Sequence, residues 1–417
     1  MVQLAPDLYT SRLVLRFREQ GQLYLSSLLH PGSAPLYPPT AAVLRALWDR
    51  ADRRPTDERL RRPGVPEDPE HLQRMLEHLV AQGLLIDSSV DEESAWYRLQ
   101  QSELQNLPLV DQVELTNACP FTCLFCPRGL GQMSRPVGHM DLGLLAEIVA
   151  QVRHLPQRKP FGLHHFGDPL LHPDPAAAVR IVRAAGLEPE ISVNPILLTE
   201  RRTEALLDAG VGVLIVSVDG LDTATLHTLR GRTAGAFEVV ERRIEYLIAR
   251  AATLPRPPTL MISMVATVHN RHQWRELFAR YSRPELPWLQ PVVRLLEDFG
   301  DPQIQPLGVV PLRQACASPY KFVSILWDGT VVACCHDVDG AIDYGNLRTQ
   351  SLAEIWAGER LQRFRERWQK RQFTSAEPCE RCGWRIDRYL VADSVADTDA
   401  WTPMLWDEGP FPGPTTT

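Results

Sequence analysis

The sequence predicts an α/β protein whose central part is a parallel sheet, open or barrel-like, built from βα units. Two observations lead to this prediction. Short apolar strands alternate with amphipathic helices between about residues 108 and 300, which is typical of parallel sheets with crossover helices. The apolar segment 211–218 is the clearest buried strand of the series. Functional groups in such folds lie where the strands end, so a site is expected in the loops that follow the strands.

Each element of the central part has its own signal. A helix is predicted from Asp141, with apolar residues at helical spacing, and Asp174 is the predicted N-cap of another helix. The segment 237–251 has the apolar periodicity of a long amphipathic helix. Runs rich in β-branched and aromatic residues predict the strands, at 113–116, 163–166, 190–194, 213–219 and 259–267.

Residues 1–107 are predicted to form a winged-helix-like α+β module. Two short strands at 13–18 and 22–25 surround a Glu-Gln-Gly turn. A helix is predicted from about 40 to 47, and a second from 68 to 82, with Pro69 at its first position and Gly83 just past its end. An extended run at 84–86 completes the module.

Residues 108–300 then form the βα domain, and residues 301–395 a third unit. The third unit contains a β-hairpin at 322–327 and 330–334 around an Asp-Gly turn, followed by one helix at 352–371. Residues 396–417 are rich in Pro, Gly and Thr near their end, which predicts a flexible tail.

The composition excludes several classes of protein. The chain has 417 residues, of which 44% are hydrophobic and 23% charged, as in ordinary soluble globular proteins. Its longest apolar stretch is far short of the roughly 20 residues that span a bilayer, and its start lacks the features of a signal peptide. The net charge of −7 offers no basic face to phosphates. We therefore expect a cytoplasmic protein with no membrane and no nucleic-acid partner.

Eight cysteines are grouped at short spacings and are absent from the first 118 residues. In a reducing cytoplasm such grouping favours metal or cluster ligands over disulfides. Cys119, Cys123 and Cys126 follow the first strand of the βα domain. Three thiolates at this spacing can each hold one iron of a 4Fe–4S cluster and leave the fourth iron open. Zinc sites prefer four ligands, and buried structural thiols are the remaining alternative.

This cysteine motif, with the aromatic Phe125 just before its third cysteine, resembles that of the radical S-adenosylmethionine (SAM) superfamily, and the resemblance covers about residues 108–395. It implies a partial (β/α)6 barrel. It also implies that SAM chelates the open iron through its amino and carboxylate groups. One electron from the cluster would then cleave SAM to a 5′-deoxyadenosyl radical, while the protein positions and shields the chemistry.

The resemblance also assigns SAM-binding roles to residues that end or follow strands. Asp168 would hold the SAM amino group, with a shorter reach than the Glu that the family has there, and Arg230 would pair with the SAM carboxylate. His164 and His165 precede this region and have either a catalytic or a polar packing role. The residues at the positions of the family's SAM contacts are Gly167, Asp168, Pro169, Ser192, Asn194, Ser217, Asp219 and Arg230.

The third unit resembles the auxiliary-cluster region of SPASM and Twitch radical SAM enzymes. Cys316, Cys334, Cys379 and Cys382 can close a second 4Fe–4S cluster completely, and closed ligation favours electron transfer over substrate binding. No cysteine follows Cys382, so the Twitch type with one auxiliary cluster is the better match. A zinc site made by the same four thiolates is the alternative.

Cys335 is adjacent to the predicted ligand Cys334, and three roles are open for it. It is a spare thiol, an alternative ligand, or a catalytic hydrogen-atom donor of the kind that radical epimerases use to quench a substrate radical.

The N-terminal module resembles the recognition element of enzymes that modify ribosomally synthesised peptides (RiPPs), a fold shared with the peptide chaperone of pyrroloquinoline quinone biosynthesis. Such modules bind a leader peptide as an added strand on a sheet edge. A DNA-binding winged helix is the alternative reading. Acidic residues outnumber arginines in the first 105 residues, which disfavours DNA.

The sequence therefore predicts a radical SAM maturase that abstracts hydrogen from a RiPP precursor peptide and gives a crosslink, an epimerised residue or an oxidised one. Its expected partners are that peptide and a reductant such as flavodoxin or ferredoxin. A second hypothesis is a small-molecule dehydrogenase or epimerase of natural-product biosynthesis, for example of aminoglycosides. A third is a redox-sensing regulator, which would not need the open iron or the SAM-facing motifs.

Overall fold

A computed structural model of the chain contains two compact units. The first includes the N-terminal elements up to residue 86, and the second includes the described residues from 107 to 382. The residues that the structure describes are 9–10, 14–19, 22–27, 33–35, 66–81, 85–86, 107–155, 160–295, 318–370, 372–375, 377–380 and 382.

The N-terminal unit contains the predicted strands and the second predicted helix. Its helix α1 buries Leu72, Leu76 and Leu79 along one face, as expected from their helical spacing. Strands β2, β3 and β4 form an antiparallel sheet in that order, and β1 pairs with β5. The predicted helix at 40–47 and the tail at 396–417 lie outside the described residues. The elements are β1 Tyr9–Thr10, β2 Val14–Glu19, β3 Gln22–Ser27, β4 Ser33–Pro35, α1 Pro69–Ala81 and β5 Leu85–Ile86.

The second unit is built on parallel strands that follow one another along both the chain and the sheet, with a helix after most of them. Six strands, β6 to β11, are neighbours in sequential order. This arrangement confirms the α/β fold and is consistent with a partial (β/α)6 barrel. The strands are β6 Leu109–Val113, β7 Phe161–Gly162, β8 Pro189–Val193, β9 Val213–Ser217, β10 Thr259–Ala266 and β11 Leu289–Leu295.

Side-chain caps start most of the helices around this sheet. Asp141 accepts a hydrogen bond from Leu144 N, and Asp174 accepts one from Ala177 N, which satisfies backbone donors that the helix leaves open. None of the described helices is long and apolar enough to cross a membrane. The helices are α2 Leu142–Val152, α3 Pro175–Ala184, α4 Glu200–Asp208, α5 Thr223–Arg230, α6 Phe237–Ala251 and α7 Trp274–Tyr281.

The strand predicted at 163–166 is wrong in position. Strand β7 covers Phe161–Gly162 only, and Leu163 N still donates to Glu190 O at 2.8 Å before the backbone leaves the sheet. His165 then forms contacts outside the sheet, to Glu114 and to the Cys335 carbonyl. The apolar and aromatic composition of 163–166 suits a strand, but tertiary contacts override that propensity here.

The predicted hairpin of the third unit is present and extends the same sheet. Strand β12 lies parallel to β6, and β13 and β14 continue antiparallel from it. Thus the predicted boundary near residue 300 does not interrupt the sheet. The elements are α8 Ser318–Lys321, β12 Phe322–Ile325, β13 Thr330–Val332 and β14 Asp343–Asn346.

The single helix predicted at 352–371 is wrong, because the segment forms two helices, α9 Leu352–Ala357 and α10 Glu359–Gln369. Gly358 ends the first and precedes the second with an extended backbone. Glycine favours helix ends over helix interiors, so Gly358 carried the signal for the break.

Candidate cluster and cofactor sites

The three-cysteine loop follows β6 and is fastened to the end of α5. Thr122 N donates to Arg230 O at 3.1 Å, and Leu124 N donates to Leu229 O at 3.0 Å. Gly129 lies so close that an added Cβ would be 2.5 Å from the backbone N and O of Cys123. These contacts fix the backbone conformation of the loop, which lies at the edge of the barrel where the parallel strands end.

The thiols of this loop are close enough together for the charge of one to shift the pKa of another. Burial, together with a smaller contribution from the Cys126 thiol, raises the pKa of Cys119 to about 11 and that of Cys123 to about 12. Iron binds the thiolate form, so ligation must release these protons. None of the seven described cysteines forms a disulfide. This donor set fits an iron–sulfur cluster, whose iron would supply the positive charge that the buried thiolates need.

No three His, Cys, Asp or Glu side chains within the described part of the chain are arranged around a point where a single metal ion could bind. A cubane cluster makes a different demand, because each cysteine ligates a different iron atom.

Asp168 joins the loops that follow β7 and β8. Its Oδ1 accepts from Leu170 N at 3.0 Å, and its Oδ2 accepts from Asn194 N at 2.9 Å. Its own N donates to Ala118 O at 2.8 Å, directly before Cys119. Burial raises the pKa of Asp168 to about 6, although these hydrogen bonds act in the opposite direction. The Asp168 carboxylate therefore connects the loops that follow β7 and β8, beside the cysteine loop.

The predicted residues at the ends of β8 and β9 are neighbours. Ser192 Oγ lies 3.5 Å from Ser217 Oγ, as expected for adjacent parallel strands. Asn194 is buried, and its Oδ1 accepts from Ile196 N at 2.9 Å. Its side chain thus closes the turn after β8.

Arg230 and Asp219 form a buried ion pair behind the cysteine loop. Arg230 Nε donates to Asp219 Oδ2 at 2.6 Å, and Asp219 Oδ1 accepts from Val265 N at 2.6 Å. The Arg230 guanidinium carbon is 5.7 Å from the centre of the Phe125 ring, within the range of a cation–π contact. Although burial opposes its charge, Asp219 and the Cys123 and Cys119 thiols raise the pKa of Arg230. The structure thus brings Arg230, Asp219 and Phe125 together with the cysteine loop.

The auxiliary cysteines lie on the hairpin and on a short loop beside α10. Cys334 follows β13, while Cys379 and Cys382 follow a turn that Glu377 fastens to α10. Arg367 Nη2 donates to Glu377 Oε1 at 2.6 Å. Cys316 lies outside the described residues, so its predicted role as fourth ligand stays a prediction.

Comparison with known proteins identifies two domains of the chain. The radical SAM superfamily profile matches residues 113–280, and the profile of SPASM, an iron–sulfur cluster-binding domain, matches residues 316–383. The chain carries a radical SAM domain and a SPASM domain. It is an enzyme that cleaves SAM reductively. It binds a 4Fe–4S cluster that holds SAM, and its SPASM domain binds auxiliary iron–sulfur cluster material. The contacts predicted between individual residues and SAM stay predictions.

Three curated relatives are similar over most of their length. A tungsten-containing aldehyde ferredoxin oxidoreductase cofactor-modifying protein of Pyrococcus furiosus is 26% identical over 69% of this chain and 90% of its own. A PqqA peptide cyclase of Rhodopseudomonas palustris is 23% identical, covering 72% and 87% of the two chains. The S-adenosyl-L-methionine-dependent 2-deoxy-scyllo-inosamine dehydrogenase of Niallia circulans is 20% identical, covering 65% and 91%.

A buried ion pair that the sequence did not reveal connects the radical SAM domain to the SPASM hairpin. Arg135 Nη1 and Nη2 each donate to one oxygen of Glu114 at 2.8 Å, and Arg135 Nε donates to Val338 O at 2.7 Å. His165 Nδ1 lies 3.5 Å from Glu114 Oε1, and its Nε2 donates to Cys335 O at 2.9 Å. Burial raises the pKa of Glu114, but the hydrogen bonds from Arg135 and the nearby His165 ring outweigh burial and hold it at about 2.

A second group of residues that the sequence did not reveal lies after β10 and holds the backbone around Asp219. Asn270 is fully buried, and its Nδ2 donates to Asp219 O at 2.9 Å and to Val265 O at 2.8 Å. Gln273 Oε1 accepts from Leu221 N at 2.8 Å. Asp219 itself has a left-handed backbone, with φ of 52°, so these bonds hold an uncommon conformation.

Gly167 gives a first testable prediction. Its φ is +109°, and an added Cβ would lie 2.7 Å from Asn117 Cα and against Thr116 O. Gly186 is the matched control, with φ of +81° and no atom within 4 Å of the added Cβ. Gly186→Ala is expected to cost about 1–2 kcal/mol for the backbone conformation alone. Gly167→Ala is expected to cost about 1–3 kcal/mol more because of overpacking. Denaturation midpoints of the two variants measure the difference, and equal losses would contradict the crowding.

Proposed function

We propose that this radical SAM enzyme modifies a ribosomally synthesised precursor peptide, whose leader binds the N-terminal unit while the barrel abstracts hydrogen from the core. The modification is a crosslink, an epimerisation or an oxidation. The similarity to PqqA peptide cyclases over 87% of the relative's length supports a peptide substrate. We place the reaction in the cytoplasm, with flavodoxin or ferredoxin as reductant.

The N-terminal sheet carries this proposal. Its order is β2-β3-β4, so both outer strands have one open edge among the described residues. Strand β4 has three residues and ends at Pro35, which has no N–H to donate, whereas β2 has six residues and contains no proline. An extended peptide adds to such an edge through main-chain hydrogen bonds. We therefore assign the leader to the open edge of β2.

The proposal predicts that modification depends on the leader. A short peptide encoded beside the gene is incubated with the reconstituted enzyme, SAM and dithionite, and both its mass and the chirality of its residues are followed. We expect a mass or stereochemical change in the full precursor. We expect at least about a tenfold lower kcat/KM for the same core without its leader, since about 1.4 kcal/mol of binding is worth that factor. Equal rates for both peptides would exclude leader binding.

A small-molecule dehydrogenase is the second candidate, because the relative from Niallia circulans oxidises such a substrate by its name. Oxidation of an aminocyclitol alcohol by the same reconstituted enzyme, with the peptide left unmodified, would favour it. Gene neighbours for sugar or amino transfer would point the same way.

The peptide-modification hypothesis gives Cys335 a role as hydrogen-atom donor. Its backbone carbonyl is fixed by His165 at 2.9 Å, so the residue is held at the junction of the SPASM hairpin and the barrel. If the reaction is an epimerisation, we propose that the Cys335 S–H bond breaks and its hydrogen atom forms the new C–H bond of the substrate. The thiyl radical left on Cys335 then takes one electron from the flavodoxin or ferredoxin reductant and one proton from solvent to restore the thiol. Cys335→Ala should then leave the substrate radical unquenched, and a product unchanged in stereochemistry and yield would remove this role.

A further inference from the structure

A chain of hydrogen bonds connects the barrel to a predicted ligand of the auxiliary cluster. His165 Nε2 donates to Cys335 O at 2.9 Å. The N–H of the next residue, His336, donates to Cys334 Sγ at 3.4 Å. The Cys335 carbonyl and the His336 N–H belong to one peptide unit, which is planar and trans. Its two polar groups therefore point in opposite directions, the carbonyl towards the barrel and the N–H towards the sulfur.

His165 is held in place from the barrel side. Only 2% of its side chain is exposed, and its ring centre lies 4.4 Å from that of Phe166. Its Nδ1 lies 3.5 Å from Glu114 Oε1, and Arg135 holds the Glu114 carboxylate with two hydrogen bonds. A carbonyl oxygen has no hydrogen to give, so Nε2 is a protonated nitrogen of this ring. The hydrogen bond to Cys335 O therefore comes from a side chain with little freedom to move.

The turn after Cys334 is fixed by bonds that do not involve His165. Asp337 N donates to Cys334 O at 3.2 Å. The Asp337 carboxylate accepts from Ala341 N and from Ile342 N, both at 2.8 Å. Loss of the His165 side chain should therefore change the orientation and polarity of the 335–336 peptide unit and leave the turn folded.

We propose that His165 raises the reduction potential of the auxiliary cluster through the 335–336 peptide unit. Hydrogen bonds to the sulfurs are among the factors that set the potential of iron–sulfur clusters. Reduction adds negative charge, and a hydrogen bond donated to the ligand sulfur stabilises that charge. Hydrogen bonds in a chain polarise one another, so the bond from His165 makes the His336 N–H a stronger donor to Cys334 Sγ.

His165 is a positioning residue in this proposal, because it acts on the sulfur through the peptide unit. The inference rests on Cys334 as a ligand of the auxiliary cluster. It goes beyond the proposed function and is independent of the peptide substrate.

The test measures the auxiliary cluster alone. In the parent protein Cys119, Cys123 and Cys126 are replaced by Ala, so that the remaining signal comes from the SPASM domain. A redox titration followed by electron paramagnetic resonance gives the midpoint potential of the parent and of His165→Leu in the same background. At the parent's midpoint, we expect the ratio of reduced to oxidised cluster to fall about three- to tenfold in His165→Leu, which is about 30–60 mV for one electron. An unchanged midpoint would overturn the proposal.

His165→Gln separates the hydrogen bond from the packing of the ring. The Nε2 of glutamine is joined to Cβ through the same number of bonds as the Nε2 of histidine, so its N–H reaches the same carbonyl. We expect His165→Gln to restore most of the midpoint shift. If His165→Gln and His165→Leu shift the midpoint equally, the effect comes from packing and the proposal fails.

His172 provides the matched control in the same part of the barrel. It is buried, its Nε2 donates to Met140 O at 2.9 Å, and its Nδ1 accepts from Asp174 N at 3.1 Å. The Met140 carbonyl lies just before α2, in a segment without any predicted ligand of the auxiliary cluster. His172→Leu should therefore leave the midpoint unchanged. A shift as large as that of His165→Leu would contradict a specific role of the 335–336 peptide unit.

A second measurement reports the hydrogen bond itself. Histidine labelled with nitrogen-15 at its backbone nitrogen is incorporated into the protein, and electron spin echo spectroscopy of the reduced cluster detects labelled nitrogens bonded to its ligands. We expect a nitrogen-15 coupling in the parent and in His165→Gln, and a weaker coupling in His165→Leu. No coupling in the parent would overturn the proposal. A parent without iron would overturn the auxiliary-cluster assignment as well, whereas an unmodified peptide would leave the inference standing.

Discussion

Replacement of Cys119, Cys123 and Cys126 by Ala is expected to abolish 5′-deoxyadenosine formation from SAM. The three thiols follow β6 in one loop and are the predicted ligands of the cluster that cleaves SAM. Without them no iron remains at this site to accept the SAM amino and carboxylate groups. Iron content after anaerobic reconstitution should fall from about eight to about four per chain.

The double variant Cys379→Ala and Cys382→Ala is the matched control for this loss. It also removes ligands of one cluster, and its iron should fall by a similar amount. SAM cleavage should persist in it, because the cysteine loop after β6 is unchanged. If the triple variant still cleaved SAM, the assignment of the loop would be wrong.

Loss of the Arg135 side chain is expected to have the second largest effect. Glu114 is fully buried and receives two hydrogen bonds from Arg135. Arg135→Met leaves the buried carboxylate of Glu114 without its cationic partner, which costs about 3–5 kcal/mol. The variant also loses the bond to Val338 O, which fastens the SPASM hairpin. We expect a lower denaturation midpoint and a lower iron content.

Arg360 provides the control for this experiment. It pairs with Asp343 at 2.9 Å within the same unit, but the two side chains are 67% and 43% exposed. Exposed pairs contribute about 0–1 kcal/mol, so Arg360→Met should change the midpoint little. Equal effects of Arg135→Met and Arg360→Met would show that the Glu114 pair does not fasten the hairpin.

The sequence was most informative where function depends on residues close together in the chain. Ligands of one cluster must lie near one another, so the spacing of Cys119, Cys123 and Cys126 could be recognised directly. The helix periodicity of 237–251 and the capping residue Asp174 also predicted their elements well. These features depend on local geometry that repeats in all proteins.

Features that depend on tertiary contacts could not be predicted in this way. Glu114 and Arg135 are separated by 20 intervening residues and meet only because the cysteine loop folds back over β6. The segment 163–166 leaves the sheet because His165 finds partners elsewhere. Neither fact follows from spacing or propensity.

The pairing of β12 with β6 has a consequence for how the enzyme unfolds and transfers electrons. Strand β6 leads directly into the cysteine loop, and β12 begins the hairpin that leads to Cys334. Because one hydrogen-bonded ladder joins them, neither region can open without exposing the backbone of the other, so both should exchange amide hydrogens as one cooperative unit. We therefore expect the distance between the cysteine loop and the SPASM hairpin to be set when the chain folds and to stay the same through each turnover.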